Sequence, residues 1–215
     1  MKPTEIYVVR HGESIANLER RAAGFTDTPL SELGIRQANV TAEALKDVHF
    51  DAIYSSDLSR AYNTALPHAK IRGMDVEKRE NLREMFHGEW EYMRHDDINE
   101  RYGKDAVSGG WHANFGTYII PGSEGAVKVG ERIYNEIENI CKDREGQRIL
   151  IVCHGVATRA FCLRVMGVAP EKYAETLPYP SNASYTRLSY DGEQFKLLDF
   201  SVDEHLKEVG ITKVT

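Results

Sequence analysis

No apolar run in the chain approaches the roughly 18 residues that a membrane-spanning helix needs. Cysteine is scarce. Cys141, Cys153 and Cys162 are the whole complement, an odd count with no paired Cys/His spacing around it. That argues against a disulfide framework and against a structural zinc site. Basic residues do not dominate either: Lys plus Arg number 27 against 33 for Asp plus Glu, a net charge of -6. An acidic whole argues against nucleic acid or an anionic membrane as the main partner, although a locally positive pocket can still take a small anion. Internal repeats, low-complexity tracts and linkers are absent. The N-terminus runs at once into Ile6-Tyr7-Val8-Val9 and then Arg10-His11. That is too short and too soon charged for a signal peptide, so the expectation is a cytoplasmic protein.

What the chain does have is ordinary globular composition. It has 215 residues, 41% hydrophobic and 28% charged, enough for one domain over residues 1–215 that buries roughly 70% of its unfolded surface. Short apolar runs alternate with helical patterns, the signature of βα units on a mostly parallel sheet. Strands are expected at Glu5 to Val9, Phe50 to Tyr54, Met74 to Lys78 and, most clearly, Arg148 to Cys153. Ser31 is positioned to cap a helix whose Ile35, Ala38, Ala42 and Leu45 share one face. Leu58, Ala61 and Ala65 give a second helical stripe, with Asp57 or Ser56 as its cap. Ile133, Ile137 and Ile140 mark one face of a long polar helix, and Tyr185 to Ser201 reads as a hairpin across Asp191-Gly192. Residues 86–125 fit neither period. They hold Trp90, Trp111, Phe115 and several glycines, and read as a lid or cap insert, or as a satellite core under a surface loop.

Two histidines occupy the same kind of place. His11 follows Ile-Tyr-Val-Val-Arg and His154 follows Ile-Leu-Ile-Val-Cys, and each precedes a glycine. Ligands of open α/β sheets bind beyond the carboxyl ends of the strands. The two are 143 positions apart in sequence (154 − 11), yet neighbouring parallel strands would bring them together. Arg10 adjoins the first, and Arg60 follows the second strand near the same sheet edge. Two converging guanidiniums make a fork for a phosphate-sized anion. They also depress the pKa of an adjacent imidazole and keep it a neutral nucleophile. Glu84 follows the third strand and can reach the same edge as a proton donor to a leaving alkoxide.

Arg10-His11-Gly12-Glu13-Ser14 with Asn17, then Gly24-Phe25-Thr26-Asp27-Thr28-Pro29-Leu30-Ser31, Ser55-Ser56-Asp57-Leu58-Ser59-Arg60-Ala61, Leu82-Arg83-Glu84 and Val152-Cys153-His154-Gly155 together resemble the histidine phosphatase superfamily, which includes the cofactor-dependent phosphoglycerate mutases. The resemblance spans roughly residues 5 to 190. It implies a three-layer α/β/α sandwich with a mostly parallel central sheet, no metal and no cofactor. It implies a small phosphorylated substrate, with His11 as the nucleophile that becomes phosphohistidine. Arg10, Arg60 and His154 would hold the phosphoryl group, and Glu84 would be the acid and then the base. Asn17 and the backbone at Gly24 and Gly155 would complete the substrate pocket.

The chain departs from that pattern at Ala23, where many members carry a polar residue, and at Pro121-Gly122-Ser123-Glu124-Gly125. Its insert is short and shows no match to the paired-arginine segment of the mutases, which favours a hydrolase over mutase-type phosphoryl transfer. Two rivals stand beside this reading. Cys153 and Arg159 form a Cys-x5-Arg loop resembling cysteine-dependent phosphatases, and a phospho-ligand binding module would keep the pocket without catalysis. His49, His68, His87, His95, His112 and His205 show no ligand spacing, His95-Asp96-Asp97 reads as a solvated loop cluster, and Arg20-Arg21 read as pocket mouth or solvated helix face. Oligomeric state is left open, a homodimer being one option.

Overall fold

The computed structural model describes residues 2–212. Six strands form one sheet in the order β3-β2-β4-β1-β5-β6. They are β1 (Thr4–Arg10), β2 (Ala52–Ser55), β3 (Glu77–Lys78), β4 (Arg148–Cys153), β5 (Tyr185–Tyr190) and β6 (Phe195–Val202). The first four in space are parallel, and β5 and β6 add antiparallel to the β1 edge. The helices are α1 (Ile15–Leu18), α2 (Glu32–Ala44), α3 (Ser59–Arg72), α4 (His95–Tyr102), α5 (Gly125–Asp143), α6 (Gly155–Val165) and α7 (Tyr173–Thr176).

The central strands read as unbroken apolar runs because both of their faces are covered. Ile6 and Val8 of β1, with Ile149 and Ile151 of β4, face the α5–α6 layer. Tyr7 and Val9, with Leu150 and Val152, face the α2–α3 layer. This is the three-layer α/β/α sandwich that the sequence implied.

Several local expectations needed correction. Ile35 is 52% exposed, although Ala38, Ala42 and Leu45 of its stripe are buried. Gln37 and Thr41 take the inner positions because they have partners there. Gln37 Oε1 accepts from Glu13 N at 2.8 Å and Thr41 Oγ1 donates to Ala183 O at 2.9 Å. Ser31 does cap α2, accepting from Gly34 N at 3.0 Å. Neither Asp57 nor Ser56 is the N-cap of α3. That position belongs to Leu58, with no side-chain cap bond. Asp57 pairs with Arg83, and the Asp27 carboxylate accepts from Ser59 N at 2.8 Å instead. The third strand shrinks to Glu77–Lys78.

Residues 86–125 are not without periodic structure. They contain α4 and a π-helical stretch, Ala106–His112. The first buries only Ile98, and a π pitch matches no 3.6-residue pattern. Trp90 and Phe115 from this segment are buried within the same core cluster as β1 and β4.

His68 on α3 is fully buried, and neither ring nitrogen has a partner among the described residues. Burial, and then Arg72 and His205, push its pKa down to about 3. The unfolded chain therefore takes the proton first, at its ordinary value near 6.5. Stability is intact above pH 6.5 and falls as pH drops toward 3, by about 2 kcal/mol at pH 5 from this group alone. Denaturant unfolding at pH 8 and pH 5 should show His68→Leu recovering roughly that difference. An identical effect of the substitution at the two pH values would contradict it.

Candidate active site

β1 and β4 pair in parallel with Arg10 opposite Cys153. The next residue of each strand is therefore a histidine at the carboxyl edge of the sheet. The His11 and His154 rings lie 5.2 Å apart, edge to face at 64°. Gly12 allows the turn after β1 to press on the start of α2: a Cβ there would lie 2.4 Å from Gly34 O.

His11 Nδ1 donates to Gly12 O at 2.7 Å. A carbonyl only accepts, so Nδ1 carries the proton and Nε2 keeps its lone pair. Burial first, then Arg60 and Arg10, hold the His11 pKa well below 6.5. The ring is a neutral imidazole at neutral pH. His154 is held down in the same way, by burial and then by Arg60. It is fully buried, and both its nitrogens lack partners among the described residues.

The two arginines are fixed by carbonyls. Arg10 Nη1 donates to Pro180 O at 2.5 Å, and its Nε is unpartnered. Arg60 donates to Gly24 O at 2.7 Å, Thr26 O at 2.9 Å and Ala23 O at 3.2 Å. No carboxylate among the described residues neutralises either guanidinium directly. Burial lowers the Arg10 pKa to about 10, which leaves both cations charged and available to an anion.

Glu84 is 7% exposed. Its Oε1 accepts from Met85 N and Ala157 N, each at 2.9 Å, and its Oε2 from Val156 N at 3.0 Å. The carboxyl group thus sits on the first turn of α6, positioned by backbone N–H groups that have no partner within the helix. Arg132 of α5 holds the segment in place by donating to Asn81 O, Arg83 O and Glu84 O. Glu124, in the rearranged Pro-Gly-Ser-Glu-Gly stretch, braces Arg132 and accepts from Phe86 N.

Arg10, His11, Asn17, Arg60, Glu84 and Gly155 all line one cavity of about 150 Å³. Two expected site residues do not line it. His154 is fully buried with its ring edge to face against that of His11, and Gly24 acts through the carbonyl that holds Arg60. Asn17 Oδ1 accepts from Ser14 N and from Asn182 Nδ2, and the latter also donates to His11 O. Gly155 leaves room for Arg10, whose Nε would lie 3.0 Å from a Cβ at that position.

The cysteine rival fails on geometry. Cys153 is fully buried, and burial pushes its thiol up to about 12. Arg159 turns away, donating to Leu177 O, Tyr173 O and Ala174 O between the rings of Phe115 and Tyr179. The three cysteines are all free and buried.

Sequence reasoning missed part of the cavity wall. His87, His95, Trp111, His112, Tyr179 and Asn182 all line it. They come from four separate stretches of the chain, His87, His95, Trp111-His112 and Tyr179 to Asn182, so no single spacing pattern links them. His95 is not part of a solvated loop cluster, because it opens α4 and is partly buried, while Asp96 and Asp97 are exposed. Arg20 and Arg21 both belong to the cavity mouth.

The sequence pattern of the Histidine phosphatase superfamily (branch 1) matches residues 6–203. The chain is 31% identical over 204 residues to phosphoserine phosphatase 1 of Hydrogenobacter thermophilus, covering 95% of each protein. It is 31% identical over 189 residues to the probable phosphoglycerate mutase GpmB of Yersinia pestis, covering 86% of this chain and 85% of that one. The structure superposes on a mycobacterial glucosyl-3-phosphoglycerate phosphatase, solved with VO3, with a TM-score of 0.84 at 28% identity, covering 92% of this chain and 98% of that chain. Among the described residues, no helix is long and apolar enough to cross a membrane.

Proposed function

The chain belongs to the histidine phosphatase superfamily, and from that premise we propose that it hydrolyses small phosphomonoesters through a phosphohistidine on His11. It is a phosphatase, as relatives named for that activity support. The observation that carries the mechanism is the tautomer of His11. Its Nδ1 is tied to Gly12 O, so Nε2 is a lone-pair nucleophile in a cavity that it shares with two guanidiniums free of direct ion pairs among the described residues and with the Glu84 carboxyl group.

In the first step His11 Nε2 attacks phosphorus and the P–O bond to the leaving group breaks. The departing alkoxide takes the proton of the Glu84 carboxyl. Arg10 and Arg60, which line the cavity, hold the phosphoryl oxygens, whose charge grows in the transition state. In the second step a water attacks phosphorus and the Glu84 carboxylate takes its proton. The P–N bond breaks, and His11 and inorganic phosphate are regenerated. Residues 86–125 supply the cap over the leaving group. The free, buried cysteines suit a cytoplasmic setting.

A panel of phosphomonoesters assayed with a metal chelator present tests this. It includes 3-phosphoglycerate with and without 2,3-bisphosphoglycerate. The expected result is release of inorganic phosphate. Isomerisation without net release would make the protein a mutase. Heat protection by phosphate esters with no turnover would make it a binding module.

A further inference from the structure

The turn that leads into β5 wraps around the end of β1. Ser184 O accepts from Arg10 N at 3.1 Å, and Ala183 N donates to Arg10 O at 3.0 Å. Pro180 O holds the Arg10 guanidinium. Ala183 keeps a left-handed backbone at φ 58° without being glycine, and Thr41 Oγ1 donates to its carbonyl. Strain of this kind persists where the surroundings over-determine it. Asn182, in the middle of this turn, is fully buried and lines the cavity that holds His11.

Two side-chain amides meet there, and backbone groups of fixed polarity decide how each is turned. His11 O can only accept, so Asn182 faces it with Nδ2, at 3.0 Å. Ser14 N can only donate, so Asn17 faces it with Oδ1, at 3.1 Å. The two amides then match each other, Asn182 Nδ2 donating to Asn17 Oδ1 at 3.2 Å. Asn182 Oδ1 is left buried without a partner among the described residues. Turning either amide over would set like groups against each other. Ser14 Oγ adds a third donor to Asn17 Oδ1, at 3.1 Å. The oxygen of Asn17 is thus fully engaged. Its NH2 group makes no hydrogen bond among the described residues, on a side chain that lines the cavity with Arg10 and His11.

We propose that Asn182 is a positioning residue for phosphoryl binding. It fixes the Asn17 amide with both N–H groups offered to the phosphoryl oxygens, and it ties that donor to the main chain of the nucleophile. Asn182 acts through Asn17 and does not touch the phosphoryl group. The need for it is physical. Asn17 lies on α1, which has only four residues, and a helix of one turn has little rigidity of its own. Ser14 caps that same turn, so its two bonds move with α1. Asn182 supplies the link from Asn17 to β1. This role rests on the phosphoryl site at His11, whose anion the amide serves.

The test reads the affinity for inorganic phosphate by calorimetry, which requires no turnover. Asn182→Ala is expected to weaken phosphate about tenfold, the scale of one hydrogen bond to a charged group. Asn17→Ala should weaken it at least as much. Adding Asn182→Ala to Asn17→Ala should then cost less than about twofold more, because the pair acts as a unit. The turn itself should survive, since Ala183 N and Ser184 O hold Arg10 through the main chain. Asn182→Leu keeps the shape of the side chain while removing both bonds, and is read in place of Asn182→Ala if the cavity left by alanine unfolds the protein. An unchanged phosphate Kd in the Asn182 variant would overturn the proposal. So would the same fold-loss with and without Asn17, or loss of the fold in both Asn182 variants, because the residue would then serve the fold alone. Coupled loss of phosphate affinity upholds the role even if no ester is hydrolysed, and uncoupled loss overturns it even if every ester is.

Discussion

His11→Ala is expected to lower kcat by about 10⁴-fold or more while the protein stays folded. The size follows from the role. Every other group in the cavity stabilises charge or moves a proton, and only the imidazole forms a bond to phosphorus. Without it, water must attack the ester directly with no base placed for it, because Glu84 is committed to protonating the leaving group in that step. The next nucleophile in the neighbourhood is Cys153, whose buried thiol is pushed up to about 12 and is not a thiolate at neutral pH. The fold should tolerate the change. His11 loses one hydrogen bond, to Gly12 O, worth about 1 kcal/mol, and a chain of this length responds with a Tm shift of about 2–4 °C. Phosphate release and circular dichroism on the same preparation check both halves. Rapid acid quench of wild type with a ³²P-labelled ester should show label that is lost in acid and kept in base, and His11→Ala should show none. Turnover within tenfold of wild type would sink the nucleophile assignment.

Which parts of this molecule can be read from its sequence depends on how local their causes are. β1 and β4 are legible because burial on both faces writes itself as an uninterrupted apolar run, and each ends on an Arg or Cys followed by His-Gly. Two such endings, placed on parallel neighbours, are enough to put His11 and His154 at one edge of the sheet. Arg60 and Glu84 are legible through the segments that deliver them, and the motif resemblance binds them into one site. What is not legible is set by distant partners. Asp27 caps α3 from 32 residues away, and Asp57, the local candidate, is drawn off by Arg83. Ile35 lies in the right helical stripe but yields the inside to Gln37 and Thr41, whose hydrogen-bond partners lie far along the chain. His87, His95 and His112 reach the cavity from three separate turns of an insert that includes a π-helical stretch. Their convergence is a property of chain path, and no residue spacing encodes it.

Glu84→Gln should separate substrates by their leaving groups. An alkoxide cannot depart without a proton, so removing the acid is expected to cost about 10²–10⁴-fold in kcat on alkyl phosphates such as glycerol 3-phosphate. p-Nitrophenolate departs with little protonation, so formation of the phosphoenzyme from p-nitrophenyl phosphate should slow by less than about tenfold. The second step needs Glu84 whichever ester was used, since its carboxylate takes the proton of the attacking water. p-Nitrophenyl phosphate should therefore give a rapid burst of about one p-nitrophenol per site and then a slow steady state, while alkyl phosphates give no burst. The substitution also disturbs the fold. Both carboxylate oxygens accept α6 backbone N–H groups, and the amide of glutamine turns a donor toward one of them, a loss of about 1–3 kcal/mol. That penalty is common to all substrates and cancels in the ratio of rates measured on one variant. Glu84→Asp keeps the acid but draws it back by one methylene, and should preserve the small discrimination of wild type with a general loss of rate. A Glu84→Gln variant that loses the same factor on glycerol 3-phosphate as in the p-nitrophenyl phosphate burst would mean that the leaving-group proton comes from elsewhere.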